Sequence, residues 1–171
     1  NGISLTLNRG DRIALVGRNG CGKSSLLKLL TGQPIAHTGT LEIGSRLTVS
    51  YVPQDMSFLS GSADDFAAES EIDITLFKTI LRKLDFKRTQ FTKDMSEFSM
   101  GQKKKVLLAR SLCQRANLYI WDEPLNYIDV ISRLQIETLI LEYKPTMLFV
   151  EHDEAFVNDI ATKVCRISLN Q

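Results

Sequence analysis

The sequence predicts an α/β fold in which a mostly parallel sheet is flanked by helices, with a small helical subdomain inserted into it. Apolar runs of strand length alternate with helix-like segments along most of the chain, which is the order of parallel sheets. A glycine-rich loop joins a buried strand to a helix near residue 20. From about 55 to 98, small and polar residues give way to a helical apolar stripe. We expect one domain over 1–171, with 1–54 and 99–171 as its α/β core and 55–98 as the helical subdomain.

The elements of the first half follow from local patterns. Alternating apolar and polar residues predict a half-exposed strand over 3–7, and a continuous apolar run predicts a buried strand over 12–16. A helix over 23–30 ends at a glycine and a proline. Two further strands are predicted over 41–43 and 47–52, on either side of a Gly-Ser turn.

After the inserted block the α/β alternation resumes. The apolar periodicity predicts helices over 101–114, 130–142 and 153–161, and strands over 118–121, 146–150 and 164–169. Because strands that alternate with helices pair in parallel, these segments are expected to extend the same sheet.

The overall composition is that of a globular protein and excludes several functional classes. Hydrophobic residues make up 43% of the 171 residues and charged residues 24%, which is enough to form a packed core. The net charge of +1 gives no global attraction to nucleic acid or anionic lipid, so binding to either requires a local patch. Three widely spaced cysteines indicate free thiols, and the apolar runs are too short to span a bilayer. We therefore predict a cytoplasmic location.

Residues 17–24 carry the strongest functional signal, because they match the pattern GxxxxGK[ST] between a strand and a helix. In such a P-loop, backbone N–H groups surround phosphate oxygens, Lys23 reaches the β- and γ-phosphates, and the Ser24 hydroxyl binds Mg²⁺. The loop predicts a P-loop NTPase fold that binds a nucleoside triphosphate with Mg²⁺. The predicted nucleotide-binding residues are Gly17, Asn19, Gly20, Cys21, Gly22, Lys23, Ser24 and Ser25. We interpret Cys21 as a small loop residue rather than a reactive thiol.

Two adjacent carboxylates, Asp122 and Glu123, follow the buried strand over 118–121. Ligands of open α/β sheets bind beyond the carboxyl ends of the strands, so both acids are expected beside the P-loop. At a strand end the chain is free to turn, which lets the two side chains serve different roles. We predict that Asp122 binds Mg²⁺ and that Glu123 polarises the attacking water.

The segment from Phe98 to Gln102 resembles the LSGGQ signature of the ATP-binding cassette (ABC) family, and the resemblance extends over nearly the whole chain. In that family two cassettes bind head to tail, and the signature of one contacts the ATP held by the P-loop of the other. The resemblance therefore implies ATP hydrolysis, weak in the isolated domain. It also implies a second cassette as partner, either in the same parent chain or in a homodimer. It also implies that Ser99, Met100 and Gly101, together with Gln102, line the partner's site. Without the resemblance, Ser99 would be interpreted as an N-cap.

Three further motifs resemble positions that the ABC family uses around its nucleotide. Gln54 resembles the glutamine that senses Mg²⁺ and water, and His152 resembles the switch histidine that contacts the γ-phosphate. Asn126 and Asp129 lie in a segment that resembles the D-loop, which crosses the dimer interface. The resemblance implies Glu123, His152, Gln54 and Lys23 as catalytic residues, and Ser24, Gln54 and Asp122 as magnesium ligands.

Two features depart from the family pattern. Met100 replaces a small glycine of the signature, which is expected to alter packing at the closed interface. The family also stacks adenine on an aromatic residue well upstream of the P-loop, whereas none of the sixteen residues before Gly17 is aromatic. We expect the strand that carries this aromatic residue to belong to an upstream part of a longer protein.

Asn126 distinguishes between two kinds of cassette. Transporter cassettes usually have serine at this position, whereas Asn126 resembles the F subfamily, particularly the second cassette of its antibiotic-resistance members. F-subfamily proteins carry tandem cassettes and act on the ribosome, which implies ribosomal RNA as a partner. The alternative is the motor domain of a membrane transporter, docked on a transmembrane subunit. DNA-repair ATPases are disfavoured because the chain has neither heptads nor cysteine clusters.

Lys103, Lys104 and Lys105 form a basic run in the first turn of the helix that follows the signature. We interpret them as a solvated helix face, with a basic patch for ribosomal RNA as the alternative. Both interpretations require exposed ammonium groups.

Overall fold

In the computed structural model, which describes residues 3–167, five strands form a single sheet. The strands are β1 (Arg12–Val16), β2 (Val49–Val52), β3 (Leu118–Asp122), β4 (Met147–Val150) and β5 (Lys163–Arg166). Their order in the sheet is β2-β3-β4-β1-β5, so that Leu15 of β1 lies level with Val150 of β4 and Cys165 of β5. All four pairings are parallel, which confirms the predicted α/β fold.

Six α-helices accompany the sheet within the described part of the chain. They are α1 (Lys23–Leu30), α2 (Ala63–Glu69), α3 (Ile74–Lys83), α4 (Met100–Cys113), α5 (Val130–Tyr143) and α6 (Glu154–Ile160). The ends of α1, α4, α5 and α6 agree with the predicted helices to within one residue. The block between β2 and α4 holds α2, α3 and two 3₁₀ turns, and its boundaries as a subdomain stay a prediction. No helix within residues 3–167 is long and apolar enough to cross a membrane.

Alternate residues of each strand pack on opposite faces of the sheet, because successive side chains of a strand point to opposite sides. On one face, Ala14, Trp121 and Phe149 join a buried cluster that extends into α3, α4, α5 and α6. On the other face, Ile13 joins a second cluster with Leu27 of α1. Burial on both faces explains why the central strands β1, β3 and β4 are mostly apolar, whereas β5, at the end of the sheet, carries two charged residues and is mostly exposed.

Two of the predicted strands are wrong. Residues 3–7 form no strand, although Leu5 and Leu7 pack half-buried against the cluster around α1. The alternation there reflects burial of one side of the chain rather than hydrogen bonds to a neighbouring strand. Residues 41–43 are exposed and form no strand, because no other part of residues 3–167 covers their apolar side chains. The strand predicted over 47–52 begins only at Val49. The last strand ends at Arg166, and positions 168 and 169 of the prediction lie outside the described residues.

Candidate nucleotide-binding and hydrolysis site

The glycine-rich loop lies between the carboxyl end of β1 and the start of α1, the context that the GxxxxGK[ST] pattern requires. Gly22, at the start of the helix, has a φ of 96°, a left-handed conformation that side chains disfavour. Lys23 is buried, and its Nζ donates to the backbone oxygens of Gly17 (2.8 Å) and Arg18 (3.1 Å). The loop therefore already surrounds the ammonium group, and phosphate oxygens would replace its two carbonyl partners.

Gly17 allows the start of the loop to pass close to the end of β5. A Cβ at this position would lie 2.5 Å from the backbone oxygen of Ile167 and 2.8 Å from Sγ of Cys21. Cys21 is a buried free thiol that packs against this glycine, which agrees with its interpretation as a small loop residue. Asn19, Gly20 and Ser25, also predicted to bind nucleotide, are exposed on the loop and at the start of α1.

Asp122 is the last residue of β3 and is only 1% exposed. Burial raises the pKa of this carboxyl group; a hydrogen bond from Ser24 acts in the opposite direction, and the charge of Glu123 adds to the rise. Its Oδ1 has no hydrogen-bond partner within residues 3–167. A buried carboxylate oxygen without a donor, next to a hydroxyl group, is the arrangement expected of a cation site. Asp122 and Ser24 therefore fit the predicted Mg²⁺.

The chain turns sharply after Asp122, and this turn separates the two neighbouring acids. Glu123 has a φ of 49°, in the left-handed region that costs a non-glycine residue about 1–2 kcal/mol. Its backbone N–H donates to the backbone oxygen of Val150 at the end of β4 (3.0 Å). The strained turn keeps one acid buried and directs the other toward the loops that follow β2 and β4.

Three of the predicted site residues converge on the carboxylate of Glu123. Nε2 of Gln54 donates to Oε2 at 2.8 Å, and Nδ2 of Asn126 donates to the same oxygen at 2.5 Å. Nε2 of His152 lies 3.5 Å from the other oxygen, Oε1. Because β2, β3 and β4 are neighbours in the sheet, residues far apart in sequence meet at their carboxyl ends. One oxygen of the carboxylate is held by two amides, and the other faces His152.

A third carboxylate at this edge, Glu151, was not predicted from the sequence. Its side chain is buried, Oε1 accepts the backbone N–H of His152 (2.7 Å), and Oε2 accepts the backbone N–H of Leu125 (3.1 Å). Glu151 therefore ties the loop that carries His152 to the loop that follows Glu123. Most glutamates are exposed, so its position in the sequence gave no signal for this role.

Lys104 and Lys105 are only 1% and 8% exposed, so both interpretations of the basic run as exposed surface are wrong for these two residues. Nζ of Lys104 donates to the backbone oxygens of Pro53 (3.3 Å) and Asp122 (3.4 Å). Burial lowers the pKa of Lys104, and the negative charges of Asp122 and Glu123 oppose that shift. Lys104 thus places a buried cation behind the two acids. Lys104 lies three and four residues before two buried leucines of α4, and this helical spacing is the sequence signal that could have indicated its burial.

The signature segment forms the N-terminal cap of α4. Oγ of Ser99 accepts the backbone N–H of Gln102 (3.3 Å), and Oε1 of Gln102 accepts the backbone N–H of Ser99 (3.0 Å). Met100 is 46% exposed. A Cβ at Gly101 would lie 2.5 Å from the backbone oxygen of Tyr127, so the glycine lets α4 approach the predicted D-loop closely.

Lys105 joins α4 to the end of the D-loop at a second point. Its Nζ lies 2.6 Å from Oδ2 of Asp129. Partial burial alone would raise the pKa of Asp129, but hydrogen bonds from Lys105 and Ser132 lower it well below its usual range. Asp129 also caps α5 by accepting the backbone N–H of Ser132 (2.9 Å). The signature helix and the D-loop are therefore held together by a backbone contact and an ion pair.

The phosphate-binding loop, the cation ligands and the held carboxylate of Glu123 thus lie at one edge of the sheet. A family model described as ABC transporter matches residues 1–126. The chain belongs to the ABC transporter family. Proteins of this family bind ATP with Mg²⁺ and hydrolyse the ATP, which agrees with the chemistry of the residues at this edge.

The relatives of this ABC domain include a bacterial ATP-binding protein and a plant protein named as a member of the F family. The putative ATP-binding protein YdiF of Bacillus subtilis is 36% identical over 173 residues, which cover 97% of the chain and 26% of YdiF. ABC transporter F family member 2 of Arabidopsis thaliana is 30% identical over 173 residues, which cover 98% of the chain and 26% of that protein. The match to the F family member confirms the predicted resemblance to the F subfamily.

Solved structures of ABC proteins share the fold of this domain. One is the archaeal ribosome recycling factor aABCE1 in complex with the ribosomal stalk protein aP1, with a TM-score of 0.76 and 27% identity. The match covers 94% of the chain and 32% of that protein. The chain thus spans about a quarter to a third of the length of these relatives.

Proposed function

We propose that this ABC domain is one cassette of a longer cytoplasmic protein, which binds and hydrolyses ATP as half of a head-to-tail pair and acts on the ribosome. The observation that carries the hydrolytic activity is the carboxylate of Glu123, held on Oε2 by Gln54 and Asn126 at the edge of the sheet where the P-loop lies. A general base needs a fixed position and an oxygen able to accept a proton, and this carboxylate has both.

The residues of the P-loop bind and orient the triphosphate. The ammonium group of Lys23 exchanges its bonds to Gly17 and Arg18 for phosphate oxygens, and the backbone N–H groups at the start of α1 add partial positive charge. Ser24 and Asp122, with Gln54, are the residues that would hold Mg²⁺. When bound, this cation neutralises charge that develops on the phosphates.

Glu123 and His152 act on the attacking water. Oε2 of Glu123 is already bound by two amides, so Oε1 is the oxygen that accepts a proton as the water oxygen bonds to the γ-phosphorus. The bond between the γ-phosphorus and the bridging oxygen breaks, and ADP leaves with that oxygen. His152, 3.5 Å from Oε1 and half exposed, is placed to stabilise charge on the γ-phosphate.

The head-to-tail arrangement explains why a single domain is expected to hydrolyse ATP slowly. Ser99 and Met100 are exposed at the start of α4, where the helix N-terminus can contact the phosphates bound by another cassette. Gly101 and Lys105 connect this segment to the D-loop, next to Glu123. Binding of a second cassette at the signature is therefore expected to change the position of the loop that carries Asn126.

The ribosomal role is supported by the F-family relative and by the ribosome recycling factor that shares the fold. Asn126 supports the same assignment, because it replaces the serine usual in transporter cassettes and contacts Glu123 directly. A role in antibiotic resistance is part of this proposal. The second candidate is the motor domain of a membrane transporter, which the description of the matching family favours.

The test is co-sedimentation of the full-length parent protein carrying Glu123→Gln with purified ribosomes, with and without ATP. The variant is expected to retain ATP and to pellet with ribosomes only when ATP is present. An equal amount in the pellet with and without ATP would contradict the ribosomal role. Recovery in the membrane fraction with a transmembrane partner would support the transporter alternative.

A further inference from the structure

The block between β2 and α4 carries a strongly uneven charge. Residues 64–73 contain five carboxylates and no cation, whereas residues 78–93 contain six cations and one carboxylate. This local excess of five positive charges contrasts with the net charge of +1 for the whole chain. Five of the six cations are exposed, namely Arg82, Lys83, Lys87, Arg88 and Lys93. The charge lies on the surface and has no part in the packing of the core.

Part of this basic segment forms a cleft of about 230 Å³, lined by Lys78, Arg82, Arg88 and Phe91. Lys78 and Arg82 are one helical turn apart on α3, so their side chains share one face of that helix. Arg88, in the 3₁₀ turn Arg88–Gln90 that follows, and Phe91, directly after that turn, supply the other side. We call this feature the basic cleft.

The two arginines of the basic cleft keep their positive charge available. Lys78 is already engaged, since its Nζ lies 2.7 Å from a carboxylate oxygen of Asp64 and 5.9 Å from the centre of the Phe91 ring. Arg82 donates its Nε to the backbone oxygen of Lys78 (3.3 Å). No ion pair within residues 3–167 includes Arg82 or Arg88. Two guanidinium groups at one cleft form an arrangement suited to phosphate, which guanidinium binds through paired N–H groups.

The floor of the cleft is fixed by aromatic packing. The ring of Phe91 lies 5.2 Å from that of Phe86, and the ring of Phe86 lies 5.4 Å from that of Phe98. Phe86 and Phe98 are buried, and Phe98 is the first residue of the signature segment. The two arginines of the basic cleft therefore lie next to a packed part of the domain. Binding of a ligand there would not first require a loop to become ordered.

We propose that the basic cleft binds the phosphate backbone of RNA. Arg82 and Arg88 bind phosphates, and the neighbouring exposed lysines of residues 83–93 add attraction along the strand. The lining contains a single aromatic residue, whereas a protein-binding surface usually has an apolar centre with a charged rim. The proposal rests on the proposed ribosomal function and assigns a surface to it. It replaces the basic run at Lys103–Lys105, whose last two residues are buried.

The proposal is tested by fluorescence anisotropy of a labelled 20-base-pair RNA duplex with this chain, over a series of KCl concentrations. The double variant Arg82→Glu and Arg88→Glu is compared with a control of equal charge change, Arg9→Glu and Arg115→Glu. The control residues are exposed and lie in the loops before β1 and β3. We expect the cleft variant to bind at least about tenfold more weakly, with the log–log salt slope lower by about 2, one per lost phosphate contact. The control should stay within about twofold of the unmodified chain.

Equal loss of binding in the cleft and control variants would overturn the proposal, because attraction would then be a property of net charge alone. Binding of a labelled poly-glutamate peptide as tightly as RNA, with the same loss in the cleft variant, would assign the cleft to an acidic protein instead.

Different results would contradict the basic cleft and the ribosomal role. Parent protein that pellets with ribosomes equally well with and without the cleft substitutions would contradict the basic cleft alone. RNA binding lost in the cleft variant, without any ATP-dependent pelleting of the parent, would contradict the ribosomal role alone.

Discussion

Replacing Asn126 by serine, the residue usual in transporter cassettes, tests whether this side chain positions the proposed catalytic base. Asn126 donates from Nδ2 to Oε2 of Glu123 at 2.5 Å, and Gln54 is the other donor to that oxygen. Serine is too short to keep this bond, so one of the two amide contacts is lost. A hydrogen bond to a charged group contributes about 1.5–3 kcal/mol, and because Asn126 is exposed we take about 1 kcal/mol. Converted to a rate, this predicts a kcat about fivefold lower.

The assay is steady-state ATP hydrolysis by the parent protein, with kcat and KM determined separately. A residue that only positions the base should lower kcat and leave the KM for ATP unchanged. The matched control is Asn158→Ser, the same substitution at an exposed position of α6. A kcat within twofold of the unmodified protein would refute the positioning role. An equal loss in the Asn158 control would show a general effect on the fold.

The remaining predictions concern stability and are measured by urea denaturation of the domain. Gly101→Ala should destabilise the fold by about 1–3 kcal/mol, because its Cβ would meet a backbone oxygen at 2.5 Å, whereas Gly44→Ala, with open space around it, should be nearly neutral. Lys104→Met should destabilise the fold by about 1–3 kcal/mol, because it leaves the backbone oxygens of Pro53 and Asp122 without this donor. The more exposed Lys103→Met should cost much less, and equal effects would contradict the role of Lys104. Asp122→Asn should stabilise the domain by about 1 kcal/mol at pH 7.5 without Mg²⁺. Burial raises the pKa of the Asp122 carboxyl group above its usual value of 3.8. Ionisation of this group in the fold therefore lowers the free energy of unfolding as the pH rises above 3.8. The gain should shrink as the pH falls toward 3.8, and a gain independent of pH would refute this cause.

The sheet and most helices could be predicted because burial and periodicity coincide there. The strand over 12–16 is apolar because β1 lies between two other strands and is covered on both faces. The failures at 3–7 and 41–43 have the opposite cause. An alternating or short apolar pattern shows which side chains avoid water, but a strand also needs a neighbour to which its backbone can hydrogen-bond.

The residues around Glu123 could be listed from the sequence, but their contacts could not. Gln54 and His152 were chosen by order along the chain and by resemblance, and the adjacency of β2, β3 and β4 then brings both to the same carboxylate. Lys104 and Glu151 were missed because charged residues are usually exposed. Only the structure shows that their charges are buried among carbonyl and N–H groups at the back of the site.

The most direct test of the account compares ATP binding with a single turnover of ATP in the parent protein carrying either Glu123→Gln or Lys23→Ala. The glutamine retains an oxygen that can accept from Gln54 and Asn126, so ATP affinity should change by less than about threefold while turnover falls at least about 100-fold, as for the loss of a general base. Lys23→Ala should lose ATP binding itself, because the ammonium group inside the P-loop is gone. Turnover of ATP at the normal rate by the Glu123→Gln variant would contradict the account.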